Sequence, residues 1–269
     1  MLQFTKMQGL GNDYIYFDCV RNAAPKSPEE LSIKLSDRHF GIGGDGIVLI
    51  MPSDKADFRM RMFNADGSEG SMCGNASRCI AKYVYERGLT DKTHITLETK
   101  SGIKTLDINV CGDTVETVTV DMGKPAVGAM KQPISTANGS YNYTFVDMGN
   151  PHCVIFTDEN TDTLELEKIG KPLECHEFFP DRANIEFVNV LGKNDLRMRV
   201  WERGSGETLA CGTGACATVT AAVINGISPI NEDLRVHLKG GILTIRYTGE
   251  SVFMTGKAEF VFDGTLEDL

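Results

Sequence analysis

Short runs in which apolar and polar residues alternate cover much of the chain, and this period is typical of strands with one buried face. Strands are predicted at residues 14–20, 47–51, 58–64, 117–122, 143–147, 153–157, 185–190 and 198–201, with the last strands within 252–261. Two longer alternating stretches, 95–108 and 234–247, each contain a glycine turn near the middle, which indicates hairpins. The chain is therefore predicted to be rich in sheet.

Two runs, 76–87 and 215–224, have the spacing of amphipathic helices. The first stops at Gly88 and the second at Asn225-Gly226, and glycine just past a helix is a common C-terminal signal. These two runs are predicted to be the principal helix of each half of the chain.

A further helix is predicted to start at Ser27, where Pro28 takes the first position and Glu30 follows three residues after Ser27. This spacing is that of a capping box, and the helix is expected to reach about His39. Its counterpart is predicted at residues 164–175.

An internal repeat with a constant offset of 138 residues organises these elements. It aligns residues 11–15 with 149–153 and residues 46–50 with 184–188, and it brings Asn64 onto Glu202 and Cys73 onto Cys211. Packing alone accounts for shared apolar positions, but not for polar residues recurring at the ends of apolar runs. We interpret the chain as a duplication with one site built from both halves.

Each repeated cysteine immediately precedes one of the amphipathic runs, Cys73 in the first half and Cys211 in the second. Unpaired N–H groups and the helix dipole at such a position favour a thiolate. Two activated thiols in matched settings are therefore predicted to be the reactive groups.

Composition narrows the class of protein. A chain of 269 residues with 41% hydrophobic residues can bury a large core, and a net charge of -10 argues against nucleic acid or an anionic membrane as partner. The N-terminus lacks an apolar signal core, and no run is long enough to span a bilayer. Eight irregularly spaced cysteines resemble neither a disulfide framework nor a zinc site, so we expect a cytoplasmic protein without a metal.

The order of elements predicts an α+β fold with two pseudo-symmetric domains, each a curled mixed or antiparallel sheet around a central helix. The predicted boundaries are 1–122 for the half with Cys73 and 123–269 for the half with Cys211.

The chain resembles the diaminopimelate epimerases over nearly its full length. The motifs that carry the resemblance are residues 7–13 (Met-Gln-Gly-Leu-Gly-Asn-Asp), 63–69 (Phe-Asn-Ala-Asp-Gly-Ser-Glu), 73–75 (Cys-Gly-Asn), 148–153 (Met-Gly-Asn-Pro-His-Cys), 201–204 (Trp-Glu-Arg-Gly) and 206–214 (Gly-Glu-Thr-Leu-Ala-Cys-Gly-Thr-Gly). The resemblance implies an active site in a cleft between the domains, a homodimer, and cofactor-free interconversion of LL- and meso-diaminopimelate in lysine and cell-wall biosynthesis. The chain departs from the family at Gly46, where Gln is common, and at residues 76–77, where Ala-Ser replaces the usual Gly-Ala.

The chemistry of the residues agrees with this reaction. Inverting a stereocentre needs one group to remove a proton and another to deliver one on the opposite face, and Cys73 and Cys211 are the candidates. The developing carbanion next to the substrate carboxylate needs electrostatic stabilisation, which two helix N-termini provide. The expected backbone donors belong to Gly74, Asn75, Gly212 and Thr213.

The remaining candidates are expected to recognise the rest of the amino-acid substrate. Arg203 suits a carboxylate and Glu202 an ammonium group. The asparagines that match the family's binding positions are Asn12, Asn64, Asn150 and Asn184. His152 is a supporting candidate, to hold the α-amino group, to tune a thiol, or only to satisfy a backbone group.

Two other functions are compatible with parts of the sequence. One is another cofactor-free amino-acid racemase, for instance one acting on histidine. The other is a cysteine hydrolase that pairs His152 with Cys73 or Cys211, although such an enzyme leaves the second thiol loop without a role.

Overall fold

The structure, a computed structural model, describes residues 1–267 and contains two compact units. The first unit comprises Met1–Val120 together with the chain from Gly256 onward, and the second comprises Asp121–Thr255. Each unit is mostly sheet with two α-helices, which confirms the predicted α+β class.

The first unit begins with an antiparallel pair of strands, and the part before residue 121 ends with a three-stranded antiparallel meander. Its elements are β1 (Leu2–Gly9), β2 (Asn12–Asp18), α1 (Pro28–Ser36), β3 (Gly46–Met51), β4 (Phe58–Asn64), β5 (Glu69–Gly70), α2 (Gly74–Glu86), β6 (His94–Thr99), β7 (Gly102–Cys111) and β8 (Thr114–Gly123).

The second unit follows the same order after two additional strands. Its elements are β9 (Ala126–Val127), β10 (Gln132–Thr136), β11 (Gly139–Asp147), β12 (Pro151–Phe156), a 3-10 turn (Thr161–Thr163), α3 (Leu166–Glu174), β13 (Asn184–Gly192), β14 (Asp195–Glu202), β15 (Gly206–Glu207), α4 (Gly212–Ile224), β16 (Leu234–Leu238), β17 (Gly241–Tyr247) and β18 (Val252–Gly256). The last strand, β19 (Glu259–Leu266), pairs antiparallel with β1.

Strand register confirms the duplication residue by residue. The parallel pair β2–β3 aligns Tyr14 with Gly46, and the parallel pair β12–β13 aligns His152 with Asn184. The antiparallel neighbours β3–β4 and β13–β14 likewise preserve the offset of 138. The helices α2 and α4 begin and end at equivalent positions. The two units therefore have the same topology.

A central helix lies within the sheet of each unit. In α2 all residues from Gly74 to Val84 are buried, and in α4 all residues from Gly214 to Ala222 are buried. The sequence of α4 is almost entirely Ala, Val, Thr, Gly and Cys, so it has no charged face to present to water. The prediction of central helices is confirmed, but burial on every face replaces the expected amphipathic packing.

Two local predictions are wrong. Ser27 adopts a left-handed conformation with φ of 54°, and its side chain makes no capping hydrogen bond, although Pro28 does start the helix. The predicted second half, 123–269, also includes residues that belong elsewhere. Pairing of β19 with β1 returns the chain from Gly256 onward to the first unit.

The strand β1 was not predicted, because its alternation is weak in the sequence and its register is defined by β2 and β19 on either side. Among residues 1–267, no helix has the length and apolar character needed to cross a membrane.

Candidate active site

The polar candidates of each unit lie at one edge of its sheet. Asn12 opens β2, Gly46 opens the parallel strand β3, and Asn64 closes the antiparallel strand β4. In the second unit Asn184 opens β13 and Glu202 closes β14, while Asn150 directly precedes β12. Since parallel neighbours start at the same edge and antiparallel neighbours end there, each repeat presents its polar residues together.

Cys73 caps the N-terminus of α2. Its Sγ accepts a hydrogen bond from Ala76 N at 3.5 Å and lies 3.4 Å from Asn12 Oδ1, to which it donates. The side chain is partly exposed. The N–H groups of Gly74 and Asn75 have no partner inside the helix, so they are available to an anion, as the sequence analysis expected.

The amide of Asn12 is held by Asp45, a residue that the sequence analysis did not select. Asn12 Nδ2 donates to Asp45 Oδ2 at 2.8 Å, and this leaves the amide oxygen facing Cys73. Burial and the neighbouring Asp13 carboxylate raise the pKa of Asp45. For Asp13 burial acts in the same direction, but hydrogen bonds from Arg38 and Lys6 outweigh it and lower the pKa.

Gly46 cannot carry a side chain in this conformation. Its φ is 153°, and a Cβ there would lie 2.0 Å from the carbonyl oxygen of Phe63. The Gln that is common in the family at this position therefore has no counterpart in this site, and only the backbone of Gly46 borders it.

Cys211 caps α4 in the same way as Cys73 caps α2, but its surroundings differ. Its Sγ accepts from Gly214 N at 3.3 Å and lies 3.5 Å from Thr213 Oγ1. Burial, followed by the carboxylates of Glu202 and Glu186, raises the pKa of Cys211 well above the ordinary value of a thiol. At Cys211 desolvation and the two carboxylates therefore outweigh the helix N–H groups, which by themselves favour a thiolate.

His152 is completely buried. Its Nδ1 is hydrogen-bonded to Glu186 Oε1 at 2.6 Å, and its Nε2 to Asn150 Oδ1 at 3.1 Å. The amide of Asn150 then donates to Thr213 Oγ1 at 3.3 Å. His152 therefore orients Asn150, and through Thr213 this chain of contacts reaches Cys211.

Glu202, Arg203 and Asn184 lie together at the end of β14. Asn184 Oδ1 accepts from Arg203 N at 2.9 Å, and its Nδ2 donates to Pro151 O at 2.9 Å. Burial raises the pKa of Glu202 against the opposing effect of a hydrogen bond from Thr208. The Arg203 guanidinium is exposed and donates from Nη1 to Asp181 O at 3.0 Å.

Two other candidates make mainly structural contacts. The Asn64 amide donates to Ser68 Oγ at 3.0 Å within the turn after β4. Asn75 is buried, and its Oδ1 accepts from Arg78 Nη2 at 2.9 Å. The backbone N–H of Asn75, in the first turn of α2, still suits the anion-binding role.

Asp45, Glu186 and Thr208 contact candidate residues but were not predicted from the sequence. Glu186 had a visible signal, since it is a charged residue inside the apolar run 185–188, where a carboxylate needs a buried partner. Asp45 stands in the glycine-rich loop before β3, and its role depends on Asn12, which is distant in sequence.

The chain matches the profile of the family described as diaminopimelate epimerase over residues 4–127 and 144–261. A diaminopimelate epimerase of Parabacteroides distasonis is 55% identical, with 99% of this chain and 98% of that protein covered. One from Methanococcus maripaludis is 50% identical, with 99% of this chain and 100% of that protein covered.

Solved structures with low sequence identity have the same fold. A probable proline racemase from Agrobacterium radiobacter aligns with a TM-score of 0.78 at 15% identity, covering 99% of this chain and 93% of that chain. A PhzF-family phenazine biosynthesis protein from Bacillus anthracis aligns with a TM-score of 0.77 at 17% identity, covering 99% of both chains. At these identities the similarity supports the fold alone.

Proposed function

The chain belongs to the diaminopimelate epimerase family and is an isomerase, and from this premise we propose that it interconverts LL- and meso-diaminopimelate with Cys73 and Cys211 as its two acid–base groups. The reaction needs no cofactor in this proposal, and it supplies lysine and cell-wall precursor biosynthesis. The observation that carries the proposal is the repeated geometry of the two thiols. Each caps a central helix and accepts one N–H of its first turn.

The two thiols have complementary tasks in the proposed mechanism. A thiolate removes the α-proton, and the electron pair left on the α-carbon delocalises into the substrate carboxylate. The other cysteine, still a thiol, delivers its proton to the opposite face of the same carbon. One sulfur has then gained a proton and the other has lost one, so the pair must exchange protons with solvent before the next turnover in the same direction.

The raised pKa of Cys211 suggests which cysteine starts as the acid. Burial and the carboxylates of Glu202 and Glu186 keep Cys211 protonated, so we assign it as the proton donor in the resting enzyme. Cys73, which is more exposed than Cys211, is assigned as the first base.

Helix N-termini supply the electrostatic stabilisation of the carbanion. The N–H groups of Gly74 and Asn75 in α2, and of Gly212 and Thr213 in α4, lie beside the two sulfurs in sequence and point out of their helices. A substrate α-carboxylate held by such donors accepts the developing charge without a metal ion.

The distal end of the substrate is assigned to the end of β14. Arg203 suits the distal carboxylate and Glu202 the distal ammonium group, with Asn184 holding the Arg203 backbone. Asn12, Asn64 and Asn150 complete the proposed set of binding residues.

Isotope exchange tests the proposal. The purified chain is incubated with LL-diaminopimelate in deuterated water, and stereochemistry and deuterium at the α-carbon are followed by NMR and chiral chromatography. Formation of the meso isomer with one deuterium per inversion is expected. Inversion of histidine in place of diaminopimelate, or acyl release from ester substrates, would contradict it in favour of another racemase or of a hydrolase.

The setting of the enzyme is also proposed from the sequence and the family. We expect a cytoplasmic homodimer that binds a small amino-acid substrate and neither nucleic acid nor membrane. Light scattering after size-exclusion chromatography measures the assembly, and a monomer at micromolar concentration would contradict it.

A further inference from the structure

A buried carboxylate at the end of α3 lies under the loop that carries Arg203. Glu174 Oε2 accepts from Trp201 Nε1 at 2.8 Å, and its Oε1 accepts from Gly204 N at 2.9 Å. Trp201 and Gly204 flank Glu202 and Arg203 on both sides in the sequence. One side chain therefore holds both ends of the segment that is assigned to the distal end of the substrate.

Glu174 also reaches the neighbouring segment. Its backbone oxygen accepts from Ala183 N at 3.3 Å, directly before Asn184. Asn184 in turn holds the Arg203 backbone, and Asp181 O holds the Arg203 guanidinium at 3.0 Å. Both stretches that orient Arg203 are thus tied to the last residue of α3.

The buried end of α3 is an unfavourable position for the charge of Glu174. The Glu174 side chain is only 6% exposed, and Arg182 Nη1 lies 3.5 Å from its carboxylate on a side chain that is 59% exposed. The C-terminal end of a helix disfavours negative charge. Packing alone would be better satisfied by an apolar residue here.

The repeat shows that the fold does not require this contact. The equivalents of Glu174, Trp201 and Arg203 in the first unit are Ser36, Phe63 and Ala65. The Ser36 hydroxyl is buried and has no hydrogen-bond partner among the residues that the structure describes. Helix α1 nevertheless packs on β3 and β4, the equivalents of β13 and β14, without a carboxylate at this position. The carboxylate is therefore a feature only of the unit that contains Arg203.

We propose that Glu174 is a positioning residue for recognition of the distal end of the substrate, acting through Trp201 and Gly204 on Glu202 and Arg203. This inference rests on the proposed function in one respect, the assignment of Arg203 to the distal carboxylate. Glu174 itself touches neither the substrate nor the reacting carbon.

The chain has a single tryptophan, and that residue is Trp201, so its fluorescence reports this contact directly. In Glu174→Gln the amide can accept only one of the two hydrogen bonds, and the N–H groups it gains face other donors. We expect a changed emission spectrum of Trp201 and a KM for diaminopimelate raised about tenfold, as for loss of one charge-assisted hydrogen bond, with kcat within about threefold of the native value.

The matched control is Glu167→Gln, which removes the same charge from an exposed position on the same helix. It should change neither the emission nor KM. Far-UV circular dichroism and thermal unfolding show whether Glu174→Gln is folded. If it is not, Glu174→Asp, which keeps both acceptor oxygens on a shorter stem, replaces it and is expected to change emission and KM in the same directions.

Three outcomes would overturn the inference. They are a changed emission with native KM, a loss of kcat at native KM, and an equal change in the control variant. Failure of the proposed function looks different, because the native chain would then not invert diaminopimelate at all. In that case the same variants are assayed with the substrate that the native chain does invert. Their KM for that substrate then decides whether Glu174 positions the binding loop.

Discussion

The two thiol loops share a frame but differ in what surrounds the sulfur. An Arg61–Glu69 ion pair of 2.7 Å precedes Cys73, and an Arg199–Glu207 ion pair of 2.7 Å stands at the equivalent place before Cys211. Each cysteine is followed by a helix of 13 residues. The two loops therefore share the same frame.

The partners of the two sulfurs are different. Cys73 faces the amide oxygen of Asn12, whereas Cys211 is buried near Glu202 and Glu186. The repeat therefore gives the two sulfurs the same place at a helix N-terminus but different surroundings. In the proposed mechanism this difference favours Cys211 as the acid.

A second difference lies where β3 and β13 begin. Gly46 and Asn184 are equivalent in the repeat, yet only Asn184 has a side chain that holds a neighbour. In the first unit the Phe63 carbonyl occupies the space of a Cβ. The duplicated site thus keeps a specific side chain in one half and excludes it in the other.

Removing either sulfur should have the largest effect. Cys73→Ala and Cys211→Ala are each expected to lose about 10²–10⁴-fold in inversion rate, the usual contribution of general acid–base catalysis. Each variant keeps one base on one face of the α-carbon, so it should still exchange the α-proton of one stereoisomer. Cys73→Ala and Cys211→Ala should therefore exchange opposite stereoisomers. NMR in deuterated water measures this, and exchange of the same isomer by both variants would contradict opposite faces.

Placing at position 46 the Asn that the second unit has at position 184 should destabilise the fold. Gly46→Asn is expected to lower the free energy of unfolding by about 2–4 kcal/mol through backbone strain and the clash with Phe63 O. Urea unfolding measures it. Gly112→Asn is the control, since its φ is 60° and nothing lies within 4 Å of its Cβ position. Equal stability of the two variants would show that position 46 tolerates a side chain.

Buried thiols should make the protein sensitive to alkali. Burial raises the pKa of Cys79 in α2 from 9.0 to about 11. Between these values the folded state binds more protons than the unfolded state, so the free energy of unfolding falls as pH rises from 9 to 11, by about 2 kcal/mol for this group, and is unaffected by it below pH 9. Chemical denaturation across that range should show a shallower decline for Cys79→Ala, and an identical slope would remove Cys79 as the cause.

Replacing the guanidinium of the second loop should have the smallest effect on turnover. Arg203→Lys is expected to raise KM for diaminopimelate about tenfold, since an ammonium group cannot bind a carboxylate through two parallel hydrogen bonds. Steady-state kinetics measure it, with Arg197→Lys, on a surface ion pair with Asp162, as control. A native KM would exclude Arg203 from substrate recognition.

Local signals in the sequence were sufficient for several features. The offset of 138 residues, the glycines that end α2 and α4, and the cysteines before them depend on spacing along the chain, and the register of β2–β3 and β12–β13 agrees with them. Strand β4 was predicted at its observed bounds because its alternation is strong and its flanks are turn residues. The family also followed from these motifs.

Only the tertiary structure decided the features that depend on distant residues. The raised pKa of Cys211 follows from burial and then from the carboxylates of Glu202 on β14 and Glu186 on β13, and burial cannot be read from a helix cap. The contact of Glu174 with Trp201 and the failed capping box at Ser27 likewise depend on packing. The strand β19 joins the first unit because it pairs with β1, which lies at the opposite end of the sequence. A local pattern determines which element forms, whereas desolvation and long-range pairing determine what that element can do.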